Sequence, residues 1–460
     1  MMYEGEDLRL IDGGLGNQRE LPCHDDSPTW ILDQAWDEVK QICRNALDAY
    51  MDYCREEGLP HSYLLGLDVL IMGEADPDDP RHVRDIRPTL VEGPCCNSYP
   101  ACPNLDSYKL YRRLQAKGFN PDRVTYDVHP TKIREKIARA LINMWSAHGH
   151  DQLPRVGIFT RPYPESEEEA SHVAMLEGFK LAGLEAYRVT PDENPTVRDG
   201  RLWVHGKPLD VCYRRIERIH IPIFYGEQLG RRIIEDTPHT LFFNPLKIDD
   251  LRSKTIEERV FRRWEAKTGV RISRPRTLLG DEITPGNVTA LADAGGYVMK
   301  RWNSTGGKGV FLHLNMARAK TIAEQLYVRY DGRHMLQMDA QALTRHLAEF
   351  ADFHEDTAIQ QLRLVDARVL GDRKRLVYDT RINALYDAEA KQWDFISGIS
   401  RSVPCGDGIE SGNSLLTNIT AGAEISPLVM GTSNDPSVLS DVTFGPLLTA
   451  LMNGAHDYRF

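Results

Sequence analysis

Tyr297-Val-Met-Lys-Arg-Trp-Asn-Ser-Thr-Gly-Gly-Lys-Gly-Val-Phe-Leu312 reads as a strand, a glycine-rich turn and a second strand. Gly306, Gly307 and Gly309 have no Cβ, so backbone amides there can approach phosphate oxygens, while Lys300 and Lys308 supply cations on either side. The order is not that of a Walker loop, in which G-x-x-x-x-G-K-S/T opens a helix; here a strand lysine precedes the glycines and a strand follows. Alone, such a hairpin is better explained by a surface turn with solvated lysines. The flanking sequence decides between the two.

Upstream, NPLKIDDLRSK places Lys254 at the start of a helix; downstream, Ile359-Gln-Gln-Leu-Arg-Leu364 follows as an apolar strand. A helix-start lysine, a strand lysine with a glycine-rich flap and then a hinge strand resemble the ATP-grasp fold. The resemblance implies that Lys254, Lys300 and Lys308 contact nucleotide phosphates. It also implies that the flap with Gly306, Gly307 and Gly309 closes over ATP, and that Gln361, Leu362, Arg363 and Leu364 border the adenine. Basic residues on the next sheet are expected and are present: Arg381 in Asp379-Thr-Arg381, Arg401, and Asn418 and Gly422 in LLTNITAGAE. By resemblance, Arg381, Arg401 and Asn418 are the catalytic set.

ATP-grasp chains such as D-alanine:D-alanine ligase and bacterial glutathione synthetase end on a helix, a strand aspartate and a strand with Glu-x-Asn, which bind magnesium. Nothing of that kind follows Asn418, but it stands at the other end of the chain: a helix, GLDVLI with Asp68, and RPTLVEGPCCNSYP with Glu92 and Asn97. The order resembles a circular permutation of the ATP-grasp lobe. DGRLWVHGKPLDVCYRRI followed by FFNPLKIDDLRSK likewise resembles the segment before the nucleotide lobe in circularly permuted ATP-grasp proteins, the group related to glutathionylspermidine synthetase. Asn97 is displaced by three residues from the family's spacing, so Asp68 and Glu92 are the firmer magnesium ligands.

The constellation also has a physical logic. A nucleoside triphosphate carries about four negative charges and an attacking carboxylate adds another, so lysines, arginines and divalent cations must neutralise them. Mg²⁺ prefers one or two carboxylates plus phosphates and water. Asp68 alone reads as a strand-end turn residue and Glu92 as a solvated acid. An acid inside LLGLDVLIM, however, requires a partner or a metal.

The local reading supplies an α/β frame. Residues 28–57 carry Ile31, Ala35, Val39, Ile42, Cys43, Ala46, Leu47 and Tyr50 at helical spacing behind Ser27 as a cap. PRVGIFTRP, EEEASHVAMLEGFKLAGLEAY and VCYRRI alternate strand and helix, and 355–430 reads as antiparallel sheet. The expected units are 1–150, the permuted part of the C-terminal lobe with its metal-ligand strands; 151–250, an α/β layer; 251–345, a small lobe with the flap; and 346–460, the remaining antiparallel sheet and a terminal helix.

Composition narrows the class. In 460 residues, 56 Lys and Arg against 67 Asp and Glu give a net charge of −11, so no general attraction to nucleic acid or anionic membrane is expected. No apolar run is long enough for a bilayer span and the start lacks a signal-peptide pattern, which predicts a cytoplasmic protein. Eight cysteines, with Cys95, Cys96 and Cys102 off zinc spacing, read as reduced thiols. His24, His61, His172 and His205 show no metal spacing. Arg214-Arg215 could bind a substrate carboxylate or pair with Glu217, and Asp12 to Asn17 is an anion loop or a plain turn.

The expected activity is an ATP- and Mg²⁺-dependent carboxylate–amine ligase acting through an acylphosphate. Its small-molecule substrates would be an amino acid, peptide or polyamine, and a homodimer is in keeping with the family. The alternatives are a phosphotransferase on the same fold, or a nucleotide-binding interaction protein without chemistry.

Overall fold

The computed structural model describes residues 29–75, 83–95, 133–161, 167–294, 296–301, 310–314, 329–330, 333–334, 357–361, 375–405 and 424–432. The chain opens with strand β1 (Thr29–Leu32), helix α1 (Asp33–Glu56) and two long strands, β2 (Leu64–Ala75) and β3 (Val83–Cys95). The helix therefore starts later than its periodicity predicts. Thr29, Trp30 and Ile31 pair in parallel with Leu428, Val429 and Met430, so a tertiary partner far along the chain captures these β-favouring residues.

Helix α2 (Ile133–Ala147) leads into a parallel layer: β4 (Arg155–Phe159), α3 (Glu167–Leu181), β5 (Glu185–Val189), β6 (Val211–Arg214), α4 (Ile221–Tyr225), α5 (Glu227–Glu235) and β7 (Leu241–Phe242), in strand order β7-β6-β4-β5. A turn of 3-10 helix (Leu246–Arg252) then delivers α6 (Lys254–Thr268). A small sheet follows from β8 (Thr277–Leu279), α7 (Pro285–Asp293), β9 (Gly296–Arg301), β10 (Val310–Leu314) and β11 (Thr357–Gln361), in strand order β8-β11-β9-β10.

The chain finally returns to its beginning. Strands β12 (Arg375–Asp387), β13 (Gln392–Cys405) and β14 (Glu424–Thr432) complete a six-stranded sheet ordered β1-β14-β13-β12-β2-β3. Early and late strands thus share one sheet, with β12 antiparallel to β2 from Thr380↔Val69 to Leu385↔Leu64. The stretch from 355 to 430 is not one sheet, because β11 belongs to the small sheet and β12 to β14 to the large one.

Alternation along β2 sets the two faces of that sheet. Leu65, Leu67 and Val69 join Ile382 and Ala384 under α1, whose Trp36, Val39, Cys43, Leu47 and Tyr50 are all buried against them together with Phe261 of α6. The other face carries Leu64 and Leu385, which pack with α2 and the parallel layer. Asp68 and Arg381 fall on this second face. Lys267 of α6 ties the two helices by donating to both oxygens of Asp52 at 2.8 and 2.7 Å and to Glu56 at 2.9 Å.

His61 sits where β2 meets the parallel layer, its ring 4.8 Å from that of Tyr63 and 4.9 Å from that of Tyr386. Burial, then the charge of His148, pull its pKa from the ordinary 6.5 down to about 4. The unfolded chain takes up a proton in that window and the folded chain does not. Stability is therefore complete above pH 6.5 and falls as the pH drops towards 4, by about 3 kcal/mol from this group. Urea unfolding as a function of pH should show that slope, and His61→Phe should flatten it; an unchanged slope in the variant would assign the effect elsewhere.

Among the described residues, no helix is long and apolar enough to cross a membrane. Residues 12–17, His24, Ser27, Cys96, Cys102 and the terminal helix expected after Asn418 lie outside the described residues.

Candidate active site

Asp68 and Glu92 are register partners on β2 and β3, and Asp68 is register partner to Arg381 on β12. Three strands from opposite ends of the chain therefore set their charged residues side by side. Arg381 donates Nε to Oδ1 and Nη2 to Oδ2 of Asp68 at 2.6 and 2.7 Å, a bidentate pair, and Nη2 also reaches Glu92 Oε2 at 3.5 Å. Asp68 is 3% exposed, so the strand aspartate has the partner that its apolar flanks demand. Irregular register on both sides of Asp68 marks where β3 departs from regular pairing.

Lys254 opens α6 and joins the same group from the side. Its Nζ donates to Glu257 at 2.9 and 3.1 Å and stands 3.5 Å from Glu92 Oε1. Burial works against its ammonium, but the charges of Glu257, Glu92 and Asp68 outweigh that and hold its pKa above the usual lysine value. Lys254 therefore stays cationic at any working pH. Asp68, Glu92 and Glu257 thus stand against Lys254 and Arg381 in one cluster of mixed charge. Gly93 lets α6 approach β3, since a Cβ there would meet Glu257 Cδ and Phe261 Cζ at 2.8 Å.

A small cavity opens beside this cluster, lined mostly by charged and polar residues: Lys254, Glu257 and Glu258 of α6, Arg274, Thr277 of β8 and Gln360 of β11, with Leu90 and Ala358. Lys300 on β9 is register partner to Ala358, so the strand lysine adjoins the strand that lines the cavity. The hinge residue Gln361 has its backbone N–H donated to Arg276 O at 2.7 Å. In the cavity wall Arg274 donates to Glu258 at 2.8 and 3.0 Å, and it also donates to Glu265 at 2.6 and 3.0 Å, bracing α6 against the approach to β8.

Of the residues singled out from sequence, Asp68, Glu92, Lys254 and Arg381 are brought together. Arg401 is on β13 opposite Asp379, at a different register position from Arg381. Asn97, Gly306, Gly307, Lys308, Gly309, Leu362, Arg363, Leu364 and Asn418 lie outside the described residues. Arg214 is a structural residue: it is fully buried, donates to the carbonyl oxygens of Asn244, Ile216 and Pro245, and pairs with both oxygens of Asp249 at 2.5 and 2.9 Å. Sequence reasoning missed Glu257. The spacing Lys254-x-x-Glu257 at a helix start was the available signal.

Asp68 and Glu92 carry carboxylate oxygens on adjacent strands, the donor type a hard cation prefers, and in this structure those oxygens face Arg381 and Lys254. Among the described residues no group of three or more His, Cys, Asp or Glu gathers into a metal site of its own. Any ion held here would draw its remaining ligands from substrate and water.

No known protein family matches the sequence, and no curated protein matches it. Among the solved structures similar over most of both chains are the following two. One is a glutathione synthetase-like effector from Globodera pallida, 12% identical, covering 88% of this chain and 89% of that one, with a TM-score of 0.46. The other is a candidate gamma-glutamylcysteine synthetase from Methylobacillus flagellatus KT, 10% identical, covering the same shares, with a TM-score of 0.42. Likeness at this level adds nothing to the reading of the site.

Proposed function

We propose that the chain is an ATP-dependent carboxylate–amine ligase of the circularly permuted ATP-grasp type, with Mg²⁺ as its metal. The observation that carries the reading is the meeting of Asp68 and Glu92, from the first strands of the chain, with Arg381 from a late strand and Lys254 from the helix bordering the small sheet. Lys254 and Lys300 are assigned to the nucleotide phosphates, with the 302–309 turn as the flap. The base is assigned to the hinge at Gln361 and the residues that follow it. Asp68, Glu92 and, from its place in the sequence, Asn97 would hold Mg²⁺, which when bound adds positive charge next to the transferring phosphoryl group.

The chain's own residues then have defined tasks. Lys254, kept cationic by Glu257, offsets phosphate charge in a largely dehydrated setting, where each charge counts for more than in water. Arg381, held flat by the bidentate pair with Asp68, presents an oriented guanidinium to the reacting carboxylate, and Arg401 is assigned to the acylphosphate and the oxyanion formed on amine attack. Closing the flap would exclude water, which would otherwise consume an acylphosphate before the amine reached it.

The test is release of ADP and phosphate from ATP with Mg²⁺. Turnover that requires both a carboxylate and an amine supports the ligase. ADP formed with one substrate alone identifies a phosphotransferase, and nucleotide-dependent thermal stabilisation without turnover identifies a binding protein. Glu92→Gln separates metal from nucleotide. With a side chain 38% exposed, the variant should fold and retain nucleotide-dependent stabilisation, but lose Mg²⁺-dependent turnover by about 100-fold or more. Unchanged turnover in Glu92→Gln removes the metal assignment.

A further inference from the structure

Between α6 and β8 the chain runs through Ile272-Ser-Arg-Pro-Arg276, and this segment bonds to both sheets. Pro275 fixes its own φ and disfavours helix at Arg274, so α6 is not continued there. Ser273 O accepts the backbone N–H of Leu90 at 2.8 Å, a bond to β3 of the large sheet. Arg276 O accepts that of Gln361 at 2.7 Å, a bond to β11 of the small sheet. Leu90 shares β3 with Glu92, and Gln361 is the hinge residue. The strand that carries Glu92 and the strand that ends at the hinge are thus held by one short stretch of backbone, with Arg274 between the two bonds.

The Arg274 guanidinium uses all five of its N–H donors on that stretch and on α6. Nε donates to Glu258 Oε2 at 2.8 Å, and Nη2 to Glu258 Oε1 and Glu265 Oε2, each at 3.0 Å. Nη1 donates to Glu265 Oε1 at 2.6 Å and to Ile272 O at 3.0 Å. Glu265 Oε1 in turn accepts the Ile272 N–H at 2.8 Å. The Arg274 and Glu258 side chains are 12% and 8% exposed, so water competes little for these bonds. The same guanidinium lies 5.5 Å from the centroid of the Phe261 ring, and Phe261 packs against Gly93 of β3, next to Glu92. Glu258 extends the restraint to β8: its Oε1 also accepts from Arg262 Nε at 2.8 Å, and Arg262 Nη2 donates to Thr277 O at 2.6 Å.

We propose that Arg274 is a positioning residue: it sets the spacing between β3 and β11, and with it the span from Glu92 to the hinge. The use of that span rests on the ligase reading, in which a nucleotide meets the hinge with its base and Lys254 and Glu92 with its phosphates and metal. Contacts at the two ends of one ligand reinforce each other only while their separation matches it, and a misplacement of about 1 Å at a reacting centre costs about 100-fold. Lysine does not replace arginine here. One ammonium nitrogen cannot reach two carboxylates and a carbonyl in the geometry that the planar guanidinium fork spans.

The experiment compares the full chain with Arg274→Lys. Without nucleotide, amide hydrogen exchange at Leu90 and at Gln361 should quicken together by about tenfold or more, with the amides of Leu67 and Val69 in β2 unchanged. Unchanged exchange at both, a rise at one alone, or a uniform rise that includes β2 would overturn the clamp. By calorimetry, Arg274→Lys should bind ATP with Mg²⁺ about tenfold or more weakly, and adenosine, which meets the hinge alone, with the same affinity. A residue with only a structural role would lower the thermal midpoint without splitting the two affinities, and an unsplit result overturns the positioning role. Should Arg274→Lys not fold, Glu265→Gln, at a side chain 22% exposed, removes half of the clamp and should move the same readouts in the same direction by less. An unaltered chain that binds no ATP would sink the ligase reading instead, while the exchange measurement still decides the clamp.

Discussion

Arg381→Met is expected to lower the free energy of unfolding by about 3–5 kcal/mol, because it strands the Asp68 carboxylate in a buried place with its bidentate partner gone. The Asp68 and Arg381 side chains are only 5% and 16% exposed, so solvent screening does little to soften the loss. Removing both charges together, as Asp68→Leu with Arg381→Met, should recover most of the stability, since a buried pair and an apolar pair of similar volume differ little. Urea unfolding of the four proteins in that cycle measures the coupling. A cost below about 1 kcal/mol for Arg381→Met would mean that the pair behaves as a surface ion pair and that the β2 and β12 faces do not bury it.

Lys254→Met is the second. On the ligase reading it removes the cation that Glu257 and Glu92 surround, and ATP-dependent turnover should fall by about 100- to 1,000-fold, the scale of losing one oriented charge at a phosphoryl-transfer centre. Stability should fall as well, because Glu257 is left without its ammonium. Adding Glu257→Gln should restore stability without restoring turnover. That split separates a lysine that serves the reaction from one that only satisfies a glutamate.

What the sequence made legible follows the range of the interactions. Asp68 could be singled out because its apolar flanks are local, and Lys254 because a helix start is local. The strand over Thr29–Leu32 could not, since its strand partner among the described residues is β14, some four hundred residues away, and helical periodicity covers the same letters. Arg214 and Arg215 were read as equivalent. Strand alternation sends one into the strut with Asp249 and the other to the opposite face, and only the register of β6 against β4 assigns which. Glu257 escaped notice because its importance depends on β3 lying within reach of α6, which Gly93 permits.

The separation of β11 from β12 has the same origin. Both are apolar-rich segments that read as antiparallel strands, yet β11 pairs with β8 and β9 while β12 pairs with β2 and β13. The glycine-rich turn that first pointed to phosphate chemistry adjoins the small sheet, whereas the acids that would complete the site come from the large one. Helix α6, packed on β3 at Gly93 and on β11 of the small sheet, places Lys254 between them.

The most direct test is a structure of the chain with a non-hydrolysable ATP analogue and Mg²⁺. The account predicts the triphosphate beside Lys254 and Lys300, the base against the hinge at Gln361, and the metal between the phosphates and the Asp68 and Glu92 carboxylates. An analogue bound elsewhere, or bound with its metal away from both carboxylates, would contradict it.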